Sequence, residues 1–350
     1  MFAVSITPQV RAGQLAAPIL LAFSILIASP SLASEPPAPE SDAVRQRRAA
    51  ERGLAIVQRA AANYPDHRAC FACHHQTLPM HAMVAAGRRG LAFDAELLRD
   101  QADFTHLSFA GRADDMREGH GIGGASFTVA YGLWTLALVD WQRDDTTDAM
   151  VHFLLVNQKE DGHWSVSSRR PPLEESKQST TAMAAYFLRR YAAPEKEEQA
   201  AEAVEKALAW LRDSAIESQE DGNGLAWGLH VLGADEADVE QARQASIARQ
   251  HADGGWSQIP EMESDAYATG QTLAVLASTG WDPSEEEYRR GMAFLLRTQE
   301  SDGSWRVETR ARPVQEFFDN GDPHGKHQFI SIPATSWAVT ALAVGLEGQR

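Results

Sequence analysis

A seven-residue signature recurs three times in this chain, as Gln158 to Trp164, Gln250 to Trp256 and Gln299 to Trp305. Each copy carries Asp-Gly at the same place: Asp161-Gly162, Asp253-Gly254 and Asp302-Gly303. The signature reads as a loop between helices, and a looser version, Gln219 to Trp227, reads as a fourth copy. Repetition at this scale restricts the fold to stacked units, none of which buries its apolar face alone. The copies follow amphipathic segments such as the one carrying Ala201, Val204, Leu208 and Leu211 on one helical face and Glu198, Glu202, Glu205 and Lys206 on the others. They precede segments that are apolar nearly all round (128–139, 180–188, 225–232, 269–277 and 335–342), which must be buried on all faces. Aligned on Thr77, Val129, Thr181, Leu225, Thr269 and Thr335, the apolar segments step by 52, 52, 44, 44 and 66 residues. Six hairpins at a near-regular period predict an all-α fold, an α/α toroid with the apolar helices inside, as a single domain over 45–350. An open solenoid is the other arrangement this pattern permits.

Arg290, Gly291, Phe294, Leu295, Gln299, Gly303 and Trp305 together resemble the QW repeat of squalene/hopene cyclases and their terpenoid cyclase and protein prenyltransferase relatives. Phe153, Leu154, Gln158, Gly162 and Trp164 match in part, as do Lys206, Ala207, Trp210 and Leu211. The resemblance implies an α/α toroid in which Gln ties down helix ends and Trp stacks between hairpins. Gln158, Gly162, Trp164, Gln250, Gly254, Trp256, Gln299, Gly303 and Trp305 are therefore structural. The family's acid motif, Asp-x-Asp-Asp, is absent. A prenyltransferase-type zinc site would need Asp, Cys and His from across the toroid, yet both cysteines fall in one early motif. Asp144-Asp145-x-x-Asp148 fits a diphosphate-binding pattern, but it opens an outer helix, where acids cap free N–H groups.

That early motif, Cys70-Phe71-Ala72-Cys73-His74, has the c-type haem attachment pattern: two thiols for thioether bonds and an imidazole for the iron. Met80, His81, Met83, His106, Met116 or His120 would supply the second axial ligand. Three rivals stand beside haem c. One is a Cys70–Cys73 disulfide. Another is zinc held by both cysteines, His74 or His75 and a distant ligand. The third is an internal thioester, for which Cys73 and Gln76 have the Cys-x-x-Gln spacing of complement-type thioester domains.

Residues 1–33 read as an export signal, with Arg11, an apolar stretch from Pro18 to Ala28 and a small-x-small site at Ser31-Leu32-Ala33. Residues 34–44 read as a disordered Pro-rich spacer, and the mature protein is expected in the periplasm or outside the cell, without a membrane span. With 32 basic and 48 acidic residues the net charge is −16, which argues against a nucleic-acid partner. Two loops share a pattern beyond their Trp: Arg169, Pro172 and Glu175 match Arg310, Pro313 and Glu316. Hairpins three and six lie opposite in a ring of six, so these loops should face each other. The longer one continues through Asp319, His324 and His327, which with Asp265 are the catalytic candidates.

Trp134, Tyr186, Trp227 and Trp337 lie on or near the inner helices, where they would line a cavity or fill a core. The leading expectation is an exported toroid carrying haem c on Cys70, Cys73 and His74, with a redox partner or a hydrophobic small molecule as ligand. The alternatives are a terpenoid-cyclase-like enzyme acting on an isoprenoid without the usual acid, and a thioester-like or carbohydrate-active toroid built on a carboxylate pair.

Overall fold

The computed structural model describes residues 41–313 and 316–346; the expected export signal, most of the spacer and Val314 lie outside them. Helix α1 (Asp42–Asn63) begins three residues before the boundary read from sequence, because the Ser41 side chain accepts the Val44 N–H and caps it. The chain then alternates between two kinds of helix. Outer α1 pairs with inner α2 (Thr77–Gly87), and α3 (Ala95–Ala110) pairs, past the short α4 (Ala113–Arg117), with α5 (Ala125–Ala137). The remaining pairs are α6 (Asp145–Asn157) with α7 (Lys177–Tyr191), α8 (Glu197–Arg212) with α9 (Gln219–Leu232), α10 (Glu236–Ile247) with α11 (Ala266–Ser278), and α12 (Glu286–Thr298) with α13 (Gln328–Val344).

Burial separates the two kinds as their sequences require. Outer α12 buries Tyr288, Gly291, Met292, Phe294 and Leu295 on one stripe, whereas inner α13 buries nearly every residue from Ile330 to Ala343. Each fully buried large apolar side chain contributes roughly 1.5–3 kcal/mol. Inner helices pack in the order α2, α5, α7, α9, α11, α13, and α13 returns to α2. The described residues thus form a closed six-hairpin α/α toroid, not an open solenoid.

The repeat residues join one hairpin to the next. Gln158 Nε2 donates to Ala203 O on α8, Gln250 Nε2 to Glu287 O on α12, and Gln299 Nε2 to Ala49 O on α1, at 2.7–2.8 Å. The last of these closes the outer ring. Each Trp indole donates back to its own outer helix, Trp164 to Leu154 O, Trp256 to Ser246 O and Trp305 to Leu295 O. Gly162, Gly254 and Gly303 have φ of 102°, 89° and 102°, and a Cβ there would press into Lys206, Arg290 and Arg52 of the next outer helix. The fourth copy is different: Gln219 to Trp227 lies inside helix α9. Ser218 accepts the Asp221 N–H and Asp221 accepts the Ser218 N–H, and this capping box starts a helix where the repeat pattern suggested a loop.

Candidate functional site: an aromatic cavity with a buried carboxyl

The inner helices enclose a cavity of about 540 Å³ to which all six contribute lining residues. Its volume falls in the range of small-molecule sites, roughly 300–1,000 Å³. Trp134, Tyr186, Phe187, Trp227 and Trp337 form much of its wall. The four aromatics expected near a cavity from sequence are all there. His81 stands among them, edge-on to Trp134 and Trp337 at 5.0 and 5.5 Å between ring centroids. Burial, aided by the nearby Arg88 charge, pulls its pKa down to about 4, so the imidazole is neutral at pH 7.

One end of the ring is shut by the two long loops. Arg310 reaches across to Glu175 of the opposite loop at 3.5 Å and donates to Gln258 Oε1 at 2.9 Å. In the same loop Arg170 pairs with buried Glu174 and lies over the Phe329 ring of α13, 5.0 Å from its centroid. These arginines knit the ring. The other end of the cavity is formed by the last turns of the inner helices, at Arg88, Arg89, Leu138, Arg190, Ser278 and Val344.

Glu220, in the first turn of α9 and 4% exposed, is the single acidic residue among those lining this cavity. Its Oε1 accepts the Ser179 hydroxyl of α7 at 2.9 Å and its Oε2 accepts the Tyr267 hydroxyl of α11 at 2.8 Å. Gly224 permits the first contact, because a Cβ there would lie 2.4 Å from Ser179 N. A polar belt continues beside it: Gln219 and Asn223 both donate to Thr272 Oγ1, and Asn223 donates to Gln271 Oε1. Burial raises the Glu220 pKa to about 7, and the hydrogen bonds from Tyr267, Gln271 and Ser179 only partly oppose it. Burial and the neighbouring Glu220 charge push the Tyr267 hydroxyl well up, so it remains a donor.

Glu220 is the functional candidate that sequence reading passes over. With Gln219 to Trp227 read as a loop, it is one more exposed acid. The available signal was an ionisable residue just after a Ser cap, opening a helix apolar on all sides.

The residues singled out by sequence lie elsewhere. Asp265 is the N-cap of α11, accepting the Ala268 N–H at 2.9 Å and Gln258 Nε2 at 2.9 Å; burial raises its pKa to about 6. Asp319 accepts the Gly321 N–H in an exposed turn, His324 bonds Ser304 Oγ at 2.8 Å, and His327 Nδ1 accepts the Thr309 N–H at 3.1 Å. None of the four lines the aromatic cavity. Asp144 caps α6 in a capping box with Thr147, as expected, and also binds Trp141 and His106.

The cysteine motif lies at the loop-covered end. Cys70 is exposed and Cys73 buried, no disulfide joins them, and burial pushes the Cys73 thiol well up. His74 is buried against His75 and Phe329, with centroids 4.3 and 4.8 Å away, and burial lowers its pKa. The space beside it is about 140 Å³, lined by Tyr64, His75, Arg170, Phe318 and Phe329 among others. That is less than half the roughly 300 Å³ at which small-molecule sites begin, and neither Cys70 nor Cys73 lines it, so this space as packed is too small to hold a haem.

The proposed second ligands are dispersed: Met80, Met83 and Met116 are fully buried in the core, and His81 lines the aromatic cavity. His106 stacks on Trp141, and exposed His120 pairs with Glu118. Among the described residues no group of three or more His, Cys, Asp or Glu is placed to hold a metal ion. Gln76 uses both amide atoms, accepting the Ala72 N–H at 2.8 Å and donating to Gln101 at 3.3 Å. No described helix is long and apolar enough to cross a membrane.

Comparisons with known proteins agree on architecture. No family model matches the chain. Lanosterol synthase of Candida albicans is 27% identical over 135 residues, covering 31% of this chain and 18% of the synthase. The chain therefore matches less than a fifth of that relative's length. Among solved structures, the type II terpene cyclase MstE from Scytonema superposes with a TM-score of 0.52 at 14% identity, covering 85% of this chain and 98% of that one. A wild-type glycosidase gives 0.57 at 13% identity, covering 87% and 97%. A protein from Actinoplanes gives 0.51 at 17% identity, covering 84% and 100%. At such identities the likeness is one of fold.

Proposed function

We propose that this toroid binds an apolar small molecule of the isoprenoid class in its aromatic cavity and that Glu220 exchanges a proton with it. The observation carrying this reading is the Glu220 carboxyl, buried at the base of an aromatic wall with a pKa of about 7. A group balanced at that value serves as general acid or base at neutral pH. It is too weak an acid to protonate a bare alkene, so the reacting atom is an oxygen of the substrate, as in an epoxide, carbonyl or hydroxyl. The O–H bond of the carboxylic acid breaks, one forms on the substrate oxygen, and the hydroxyls of Tyr267 and Ser179 hold the carboxylate left behind. The rings of Trp134, Trp227 and Trp337, which line the cavity, are the groups to stabilise positive charge developing on the substrate by cation–π attraction.

A glycoside hydrolase would need two carboxyls flanking its bond, about 5–9.5 Å apart. Glu220 stands alone among the lining residues, which favours the isoprenoid reading over the carbohydrate one. The test is tryptophan-fluorescence titration with oxygenated isoprenoids and with oligosaccharides, followed by product analysis for wild type and Glu220→Gln. Binding of isoprenoids by both proteins, with turnover lost in the variant, is the expected result. Saccharide binding alone would overturn it.

Covalent haem at Cys70, Cys73 and His74, in an exported protein with a redox role, is the competing proposal. It rests on the motif and requires the packing around Phe318 and Phe329 to open. Intact mass with an absorption spectrum of protein from a host that makes c-type cytochromes decides it, since a haem-sized increment and a Soret band must appear together.

A further inference from the structure

The cavity is polar at both ends, and the two ends carry opposite charge character. At the base stands Glu220; at the other end stand Arg88 and Arg89, the C-cap of α2 and the residue after it. Among the described residues neither Arg88 nor Arg89 has a hydrogen-bond or ion-pair partner for its side chain. Their neighbours at this end are occupied: Arg190 pairs with Asp140 at 2.9 Å, and Arg189 donates to Val231 O at 2.6 Å. A chain with 48 acidic and 32 basic residues has ample carboxylates to supply partners. Here two arginines adjacent in sequence, Arg88 exposed and Arg89 half-buried, border an apolar cavity, and no acid borders it at their end.

We propose that the substrate is an amphiphile with an anionic head, a carboxylate or a phosphate, seated on Arg88 and Arg89 while its apolar body runs down the aromatic wall toward Glu220. Arg recognises such oxygens with paired N–H donors, and both head groups share that chemistry. The eleven residues of α2 separate the two ends by about 16 Å at 1.5 Å per residue, which sets the length the body must span. The arrangement imposes polarity: the head stays at the arginines, so the far end of the molecule is what meets the carboxyl. The inference rests on the cavity being the ligand site, as proposed above.

Farnesoic acid, farnesyl phosphate and farnesol share one apolar body and differ in head charge. Their binding to the full chain is read from quenching of Trp134, Trp227 and Trp337, at low and high salt. The expected result is that the acid or the phosphate binds about tenfold or more tightly than farnesol at low salt, with the advantage shrinking as salt rises. Whichever anion binds more tightly identifies the head. The Arg88→Gln/Arg89→Gln double variant should lose that advantage while its far-UV circular dichroism and thermal unfolding match wild type, and the Arg88→Lys/Arg89→Lys variant should keep part of it. Equal affinities for anion and alcohol in wild type would overturn the anionic-head inference and leave the cavity reading standing. Absence of binding by all three would overturn the cavity reading and this inference with it.

Discussion

Replacing Glu220 with Gln makes the cost of its burial measurable. The side chain is 4% exposed, and its pKa rises from 4.5 to about 7 on folding. A carboxyl held higher in the folded chain than in the unfolded one contributes stability that is complete below pH 4.5 and is lost as pH rises through 7. The whole effect is about 3 kcal/mol, most of it expressed between pH 5 and pH 8.5. Gln has nearly the same shape and no charge, so it escapes that loss. Its amide offers one acceptor where two hydroxyls now donate, a cost of about 1 kcal/mol that does not change with pH. Denaturant unfolding of both proteins should therefore show the variant gaining on wild type by about 2–3 kcal/mol from pH 5 to pH 8.5. Asp265 and Asp322, both near 6, titrate in the same range but are common to the two proteins and cancel. A difference that stays constant within about 0.5 kcal/mol across that range would refute the buried-acid argument.

Three further outcomes follow from the packing. Trp256→Ala removes a fully buried indole and its bond to Ser246 O, and should cost about 3–5 kcal/mol in denaturant unfolding; a loss below 1 kcal/mol would contradict its role as a hairpin tie. Gly254→Ala forces a Cβ to 2.7 Å from Arg290 O at a φ of 89°, and should lower stability by at least about 1–3 kcal/mol, with thermal unfolding as the check. Exposed Cys70 should react with iodoacetamide in the native protein while buried Cys73 reacts only on unfolding, as peptide mass mapping would show. Protection of both thiols would instead support thioether attachment or a disulfide.

Much of the architecture is legible in the linear chain because it depends on local order. The Gln-to-Trp spacing, the Gly at positive φ and the alternation of one-sided with all-round apolar segments identify hairpins, and six apolar segments at near-equal steps are enough for a ring. Ser176, Asp144 and Asp265 are readable as caps for the same reason, since their partners lie three residues away. Ser218 is a cap of that local kind too, but the resemblance of Gln219 to Trp227 to its repeats pointed to a loop instead.

The candidate site was set by tertiary structure. Glu220, Ser179 and Tyr267 are on three different inner helices, more than 40 residues apart in sequence, and meet because α7, α9 and α11 converge at the base of the cavity. The same convergence removes water from one glutamate among many acids and so moves its pKa. Arg88 and Arg89 become one end of a cavity only once α2 is placed in the ring. Desolvation depends on what all six helices exclude together, and no local pattern in the sequence encodes it.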